Sequence, residues 1–244
     1  MAKSETVSVT DNPGDWIRGT QYIDKDHLRI QAVALDLSSG HRSDRDKVLA
    51  IFQFVRDRIK FGFTRGFWDN KASDVLASRI GYCNTKSTLF VALLRAIDIP
   101  ARQVFVDIDA QVLYGLVNPG TPYVDHSYVE VYIDGVWVAT DAYIVDADLF
   151  EPAQVRVRAE GHLMGYGVHA TGVMEWDGRS PAFSQFNMLD PRPIGTKHWG
   201  VYRDVADFYR RADRSWNRLN PLLRASMGAF SSSINQRADR LRAS

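Results

Sequence analysis

The first strongly patterned segment of the chain is a run of apolar residues at helical spacing over residues 44–60. These residues are Val48, Leu49, Phe52, Val55 and Ile59. Their repeat predicts an amphipathic helix that buries one face. Ser43 is the predicted N-cap, and Asp44 and Asp46 lie where negative charge is favoured by the helix dipole.

Residues 83–98 carry a second helical pattern, which Pro100 ends because the residue before a proline disfavours the helical conformation. The residues predicted to share one face are Leu89, Leu93, Ala96 and Ile97. A short helix is predicted over residues 74–78. The glycine- and aromatic-rich segment 61–70 is predicted to be a loop.

Strands are predicted over residues 102–108, 127–133 and 136–140, and the last two flank Asp134-Gly135. This dipeptide favours the two-residue turn of a tight hairpin. The weakly periodic, glycine- and proline-rich segment 150–200 is predicted to add strands and loops around the domain, and a last helical region is predicted from near residue 202.

The hairpin turn determines which side chains share a face. With a two-residue turn, Ile133 faces Val136 and Tyr128 faces Asp141. His126 then lies diagonal to Asp141 on the same face, at roughly 7–8 Å between Cα atoms, which allows an imidazole–carboxylate hydrogen bond. The residues predicted for the opposite, core-facing side are Ser127, Val129, Val131, Ile133, Val136 and Val138.

Composition narrows the class of protein. The 244 residues, 45% of them hydrophobic, are enough for one sizeable core. No stretch approaches the roughly 18 apolar residues of a membrane helix, and the first residues have no apolar segment that marks secretion. The net charge of +1 argues against nucleic acid as the principal partner. A single cysteine fits a reducing, cytoplasmic location.

Cys83 is the first candidate for chemistry because it stands at the start of a predicted helix. The helix dipole and the free N–H groups of the first turn are expected to lower the pKa of its thiol and to stabilise an oxyanion. A carboxylate such as Asp141 on one nitrogen of His126 would leave the other nitrogen free to take the thiol proton. Taken alone, each residue could instead be structural: a buried cysteine, a strand histidine and a strand-end acid.

The residues around these three positions resemble those of transglutaminase-like proteins. The cysteine helix is matched by residues 79–87, RIGYCNTKS, and the helix that follows; the histidine and aspartate strands are matched by residues 126–137, HSYVEVYIDGVW, and by Asp141. The resemblance covers about residues 44–145. It implies an α+β, papain/transglutaminase-like fold with the cysteine helix packed against an antiparallel sheet, a triad of Cys83, His126 and Asp141, and a thioester intermediate.

On this resemblance the chain divides into an N-terminal lead-in (1–43), a transglutaminase-like catalytic domain (44–200) and a basic C-terminal helical extension (201–244) packed on the same domain. The extension is expected to be a solvated face with an apolar stripe, which comprises Val205, Phe208, Tyr209 and Trp216.

Weaker candidates surround the triad. Trp68 could donate its indole N–H to an oxyanion, although an aromatic core role is the more favoured reading. Asn84 and Lys86 flank the nucleophile and are candidates for contact with the substrate or the oxyanion. Lys86 could bind a substrate carboxylate or be solvated. Tyr128 stands where the family often has Trp and could alter the acyl-binding groove. No metal and no cofactor is implied, since the remaining histidines are irregularly spaced.

The predicted activity is cysteine-dependent acyl transfer or hydrolysis of an amide or peptide, with water or an amine as acceptor and no nucleic-acid or membrane partner. The superfamily is functionally mixed, so two alternatives stay open. One is an arylamine N-acetyltransferase-like enzyme that uses acyl-CoA, whose Arg-Gly-Gly-x-Cys signature is only partly matched. The other is a catalytically inactive binding module with the same fold.

Overall fold

A computed structural model of the protein describes residues 11–187, 197–211 and 221–244. The helices in these ranges are α1 (Leu28–Ser38), α2 (Asp44–Arg58), α3 (Ala72–Ser78), α4 (Cys83–Ala96), α5 (Ala147–Ala159), α6 (Val205–Arg211) and α7 (Pro221–Arg242). No helix in the described ranges is long and apolar enough to cross a membrane.

The strands are β1 (Lys60–Phe61), β2 (Ile80–Gly81), β3 (Ala101–Asp109), β4 (Tyr123–Ile133), β5 (Val136–Thr140), β6 (Met164–Gly165), β7 (Val168–His169) and β8 (His198–Tyr202). Four of them form an antiparallel sheet in the order β5-β4-β3-β8, while β1 pairs with β2 and β6 with β7. This mixture of helices and antiparallel sheet confirms the predicted α+β class.

Helix α2 forms as its sequence predicts. The Ser43 hydroxyl accepts a hydrogen bond from the Asp46 N–H at 3.1 Å, so one of the free donors of the first turn is satisfied. The buried side chains recur at helical spacing and comprise Val48, Ile51, Phe52, Val55 and Arg56.

Helix α4 lies at the centre of the molecule. Every residue from Cys83 to Arg95 is buried, because α1, α2, α3 and the strands β3 and β4 all pack against the helix. The prediction of one buried face was therefore incomplete. The polar residues of α4 must bond to protein groups, since unpaired buried polar atoms are costly.

The β4–β5 hairpin has the predicted register. Ile133 pairs with Val136 across a two-residue turn in which Asp134 and Gly135 have φ values of 51° and 87°. Two positive φ values define the turn whose twist matches the flanking strands. The predicted core face is buried except at Val136, which is 57% exposed at the hairpin end.

The expectation of only strands and loops over residues 150–200 was wrong in its first part, where α5 runs from 147 to 159 with Pro152 inside it. The buried residues of α5 are Leu149, Phe150, Ala153, Gln154 and Val157. Their spacing is helical, and the helix tolerates the proline because the packing of this face offsets one missing backbone hydrogen bond.

Helix α7 packs on the segment that leads to the cysteine helix. The Asn235 amide accepts from the Phe63 N–H at 2.8 Å and donates to the Phe63 carbonyl at 2.9 Å. Arg242 forms two bonds to Asp146, at 2.9 and 2.7 Å, and a third to the Phe61 carbonyl at 2.7 Å. Part of the basic extension is therefore buried against the domain and is not a solvated face.

Candidate active site

Cys83 is the first residue of α4 and follows the short strand β2. A side chain at Gly81 would bring its Cβ within 2.8 Å of the Thr85 hydroxyl and 2.9 Å of Lys86 Cγ, so only glycine allows this close approach. The Thr85 hydroxyl accepts from the Tyr82 N–H at 3.0 Å and caps the helix. These contacts place the cysteine where the N–H groups of the first turn converge.

The Cys83 thiol is nearly enclosed, with 7% of the residue exposed. Burial raises the pKa of the thiol well above its ordinary value, and the charge of Asp125 raises it further. Backbone hydrogen bonds from Ser127 and Asn84 lower the pKa but are outweighed. The sequence expectation of a lowered pKa was therefore wrong in sign for this state of the site.

His126 and Asp141 meet across the hairpin. His126 Nε2 lies 3.1 Å from Asp141 Oδ2, and the two side chains are 1% and 0% exposed. Ser127, the residue after His126, accepts from the Ser87 hydroxyl of α4 through its carbonyl at 3.5 Å. Its backbone lowers the pKa of the Cys83 thiol, whereas the charge of Asp141 raises this pKa. The structure thus pairs His126 with Asp141, leaves Nδ1 as the histidine nitrogen that Asp141 does not bind, and places Asp141 near enough for its charge to act on the Cys83 thiol.

Asp141 is held by a loop that the sequence analysis did not single out. Its Oδ1 accepts from the Ser184 N–H and, at 3.0 Å, from the Ser184 hydroxyl, while Oδ2 lies 3.4 Å from the Gln185 N–H. Phe186 packs edge-on against the His126 ring at 5.2 Å between centroids. No local pattern in the sequence marks these residues, which follow the aspartate by more than 40 positions.

Two of the weaker candidates lie near the nucleophile. Asn84 is fully buried and donates to Asp125 Oδ2 and to the Tyr209 hydroxyl, both at 3.0 Å. Trp68 is half-buried and packs its ring against Tyr209 at 4.8 Å between centroids. The Asn84 amide therefore bonds to protein groups, contrary to the expected contact with substrate or an oxyanion.

Tyr128 packs in a small apolar cluster on the His126 side of the sheet. Its ring meets Phe183 edge-on at 5.5 Å and lies 6.1 Å from Phe186. Phe183 and Phe186 flank Ser184 and Gln185 in the loop that holds Asp141. Tyr128 remains a predicted groove residue. Its described ring contacts join the β4–β5 hairpin to the loop that holds Asp141.

Lys86 is buried, contrary to the expectation that it binds a substrate carboxylate or is solvated. Its side chain is 0% exposed, and its amino group donates to the carbonyls of Ile59 at 2.5 Å and Arg56 at 3.3 Å. It is neither solvated nor available to a substrate carboxylate, because it satisfies the last carbonyls of α2. Burial lowers the pKa of Lys86 to about 7, against the opposing influence of Asp146 and Asp57.

This lowered pKa predicts a pH dependence of stability. Between about pH 7 and the ordinary lysine pKa of 10.5, the unfolded chain holds a proton on Lys86 that the folded protein does not. The free energy of unfolding should therefore rise with pH across this window. In urea unfolding from pH 7 to pH 10, the wild type should gain stability relative to Lys86→Met. A difference between the two proteins that stays constant with pH would contradict the assignment.

The histidines outside the triad do not gather into a metal site. His162 packs against Tyr114 with its ring tilted by 52° and the centroids 4.2 Å apart, and His169 accepts from the Thr171 N–H at 3.1 Å. Across the part of the chain that the structure describes, no group of three or more His, Cys, Asp or Glu side chains could hold a metal ion. Trp216, predicted to lie on the apolar stripe of the extension, falls outside the described residues.

Comparison with known proteins finds a family model that matches part of the chain. Residues 31–142 match the model of the transglutaminase-like superfamily. The match contains all three residues of the predicted triad. No curated protein matches the chain significantly.

Two solved structures resemble the fold. A putative cysteine protease from Cytophaga hutchinsonii aligns with 18% identity and a TM-score of 0.48, over 83% of this chain and 51% of that one. A putative protease from Parabacteroides distasonis aligns with 15% identity and a TM-score of 0.37, over 52% of this chain and 24% of that one. The chain thus spans about half of the first protein and about a quarter of the second.

Proposed function

We propose that the protein is a cysteine-dependent enzyme that transfers or hydrolyses the acyl group of an amide or peptide. Cys83 is the nucleophile, His126 the general base and Asp141 the residue that orients and stabilises the imidazole. The observation that carries this proposal is the buried pair of His126 and Asp141, 3.1 Å apart, on the hairpin beside the start of α4.

The reaction begins from a neutral thiol, because burial opposes the thiolate. As the sulfur bonds to the substrate carbonyl carbon, its proton passes to Nδ1 of His126, and the N–H groups at the start of α4 stabilise the oxyanion. His126 then gives this proton to the leaving nitrogen, which departs as ammonia or an amine. Water or a second amine attacks the carbonyl carbon of the resulting thioester and loses a proton to His126. As the carbon–sulfur bond breaks, His126 passes this proton to the departing thiolate.

The nearly enclosed nucleophile favours a slender acyl chain and a small acceptor. Only 7% of Cys83 is exposed, the buried Tyr82 precedes it in the chain, and the buried Tyr209 bonds to the next residue, Asn84. A folded protein amine would need wider access than this arrangement offers. We therefore favour hydrolysis or transfer to a small amine over protein crosslinking.

The test is covalent loading of Cys83, followed by intact mass spectrometry. Wild type and Cys83→Ala are mixed with p-nitrophenyl acetate, with a short peptide that carries a carboxamide side chain, and with acetyl-CoA. The proposal expects an adduct from the ester and the peptide in wild type only, and release by water or hydroxylamine. Loading by acetyl-CoA alone would favour the acyl-CoA-dependent alternative.

A second candidate is a catalytically inactive binding module with the same fold. The observation in its favour is the enclosure of Cys83, which keeps the thiol neutral and limits access. This candidate expects no adduct from any donor in a protein whose circular dichroism and melting temperature are those of a folded chain. An adduct on Cys83 that water releases would exclude it.

A further inference from the structure

Two residues adjacent in sequence to the predicted nucleophile and base are bonded to each other. Asn84 follows Cys83, Asp125 precedes His126, and the Asn84 amide donates to Asp125 Oδ2 at 3.0 Å. The bond joins the first turn of α4 to strand β4. It therefore acts on the two segments whose separation sets the distance between thiol and imidazole.

Tyr209 of α6 closes this contact into a three-membered cluster. Its hydroxyl donates to Asp125 Oδ2 at 2.7 Å and accepts from the Asn84 amide at 3.0 Å. Its ring packs on Trp68, and the residue is 5% exposed. Tyr209 lies outside residues 31–142, so the segment beyond the superfamily match contributes a group to the site.

A second bridge ties the same two segments together from the other side. The Gln103 amide of β3 donates to the Asn84 carbonyl at 3.1 Å and to the Ser127 hydroxyl at 2.9 Å. Asn84 is thus bonded through both its side chain and its carbonyl, at zero exposure. A buried network that joins two segments through several bonds restricts their movement more than a single contact does.

We infer that Asn84, Asp125 and Tyr209 form a clamp that holds the Cys83 thiol at its working distance from His126, with Tyr209 as a positioning residue supplied by the C-terminal segment. The inference rests on the proposed function, since it assigns a role in the transfer of the thiol proton. The clamp residues do not touch the reacting atoms; they hold the two segments that carry them.

The test measures the rate of iodoacetamide alkylation of Cys83 against pH in Tyr209→Phe. The variant keeps the ring on Trp68 and removes only the hydroxyl. The matched control is Tyr166→Phe. It also removes a tyrosine hydroxyl, one that bonds to the Glu160 carboxylate at 3.0 and 3.1 Å and has no described contact with the clamp. Tyr209→Phe should lower the alkylation rate at neutral pH about tenfold, because small misplacements of reacting groups are costly. Tyr166→Phe should match the wild type.

Variants at Asp125 separate positioning from charge. The ionisable groups whose charges couple to the thiol are Asp125 on β4, Asp141 and Tyr143 after β5, Tyr82 before α4 and Tyr209 on α6, and His126 is paired with Asp141. Asp125→Asn keeps an acceptor oxygen for both partners and should retain or exceed the wild-type rate, since the charge that disfavours the thiolate is gone. Asp125→Ala should lose the rate as Tyr209→Phe does.

Three results would overturn the clamp. Equal rates in Tyr209→Phe and Tyr166→Phe would show that the hydroxyl positions nothing. Equal rates in Asp125→Asn and Asp125→Ala would show that the bonds of this side chain are not required. A wild-type profile that His126→Ala leaves unchanged would overturn both the clamp and the proposed function, whereas a changed His126→Ala profile with normal Tyr209→Phe overturns the clamp alone.

Discussion

His126→Ala is expected to lower the rate of Cys83 acylation by a factor of about 10⁴. The reason is that burial keeps the Cys83 thiol neutral, so attack on a carbonyl requires a base that takes the proton as the bond forms. In the proposed mechanism His126 is that base, and its ring is held by Asp141 at 3.1 Å.

The acylation rate is measured in a stopped-flow instrument as the release of p-nitrophenol under single-turnover conditions, with enzyme in excess over the ester. His162→Ala is the matched control, because it removes an imidazole that packs against Tyr114 and has no described contact with the predicted triad. The control should acylate at the wild-type rate. A His126→Ala rate within tenfold of wild type, in a protein that remains folded, would remove the histidine from the mechanism.

Asp141→Asn is expected to lower the acylation rate by a factor of about 10³ to 10⁴, since the imidazolium loses its charged partner and the imidazole its fixed orientation. The same change should lower the free energy of unfolding by about 2 kcal/mol, because hydrogen bonds to a buried carboxylate are the stronger ones. The native carboxylate accepts hydrogen bonds from the backbone N–H and the hydroxyl of Ser184. The amide of the variant would place its NH₂ group either against these two donors or against His126.

Ser184→Ala is the graded comparison for Asp141→Asn. It removes the hydroxyl bond of 3.0 Å and leaves the backbone N–H bond and the carboxylate in place. Ser184→Ala should therefore lose less than Asp141→Asn in both the single-turnover acylation rate and the free energy of unfolding measured in urea. If Asp141→Asn were as active as Ser184→Ala, the charge of Asp141 would have no part in the reaction.

The β4–β5 hairpin could be predicted from the sequence because its geometry is local. Asp134-Gly135 supplies the two positive φ angles of the turn, and the alternation of apolar residues fixes the register. From the register alone, His126 and Asp141 fall on one face. The start of α4 was likewise marked by the apolar pattern that follows Cys83.

The remaining parts of the site come from distant segments that carry no local signal. Ser184 reaches Asp141 from a loop, and Tyr209 reaches Asn84 from a helix near the end of the chain. The burial of Lys86 follows from the packing of α2, whose last carbonyls need a donor. None of these partners is recognisable before the elements are assembled.

The pKa of Cys83 shows how a local argument can be outweighed. The position at a helix start favours the thiolate, and backbone hydrogen bonds at the sulfur do lower the pKa. Burial between α4 and the sheet acts more strongly in the opposite direction, and the nearby carboxylates add to it. The sign of the shift therefore depends on tertiary packing, which the sequence pattern does not contain.

The account is tested most directly by the pH dependence of iodoacetamide alkylation of Cys83 in wild type and in His126→Ala. Because the chain has one cysteine, the signal is that of this thiol alone. The account predicts that wild type reacts at neutral pH faster than its small thiolate fraction allows, and that His126→Ala retains only the reaction that follows thiol ionisation at high pH. Superimposable profiles would show that His126 does not act on Cys83 and would contradict the central claim.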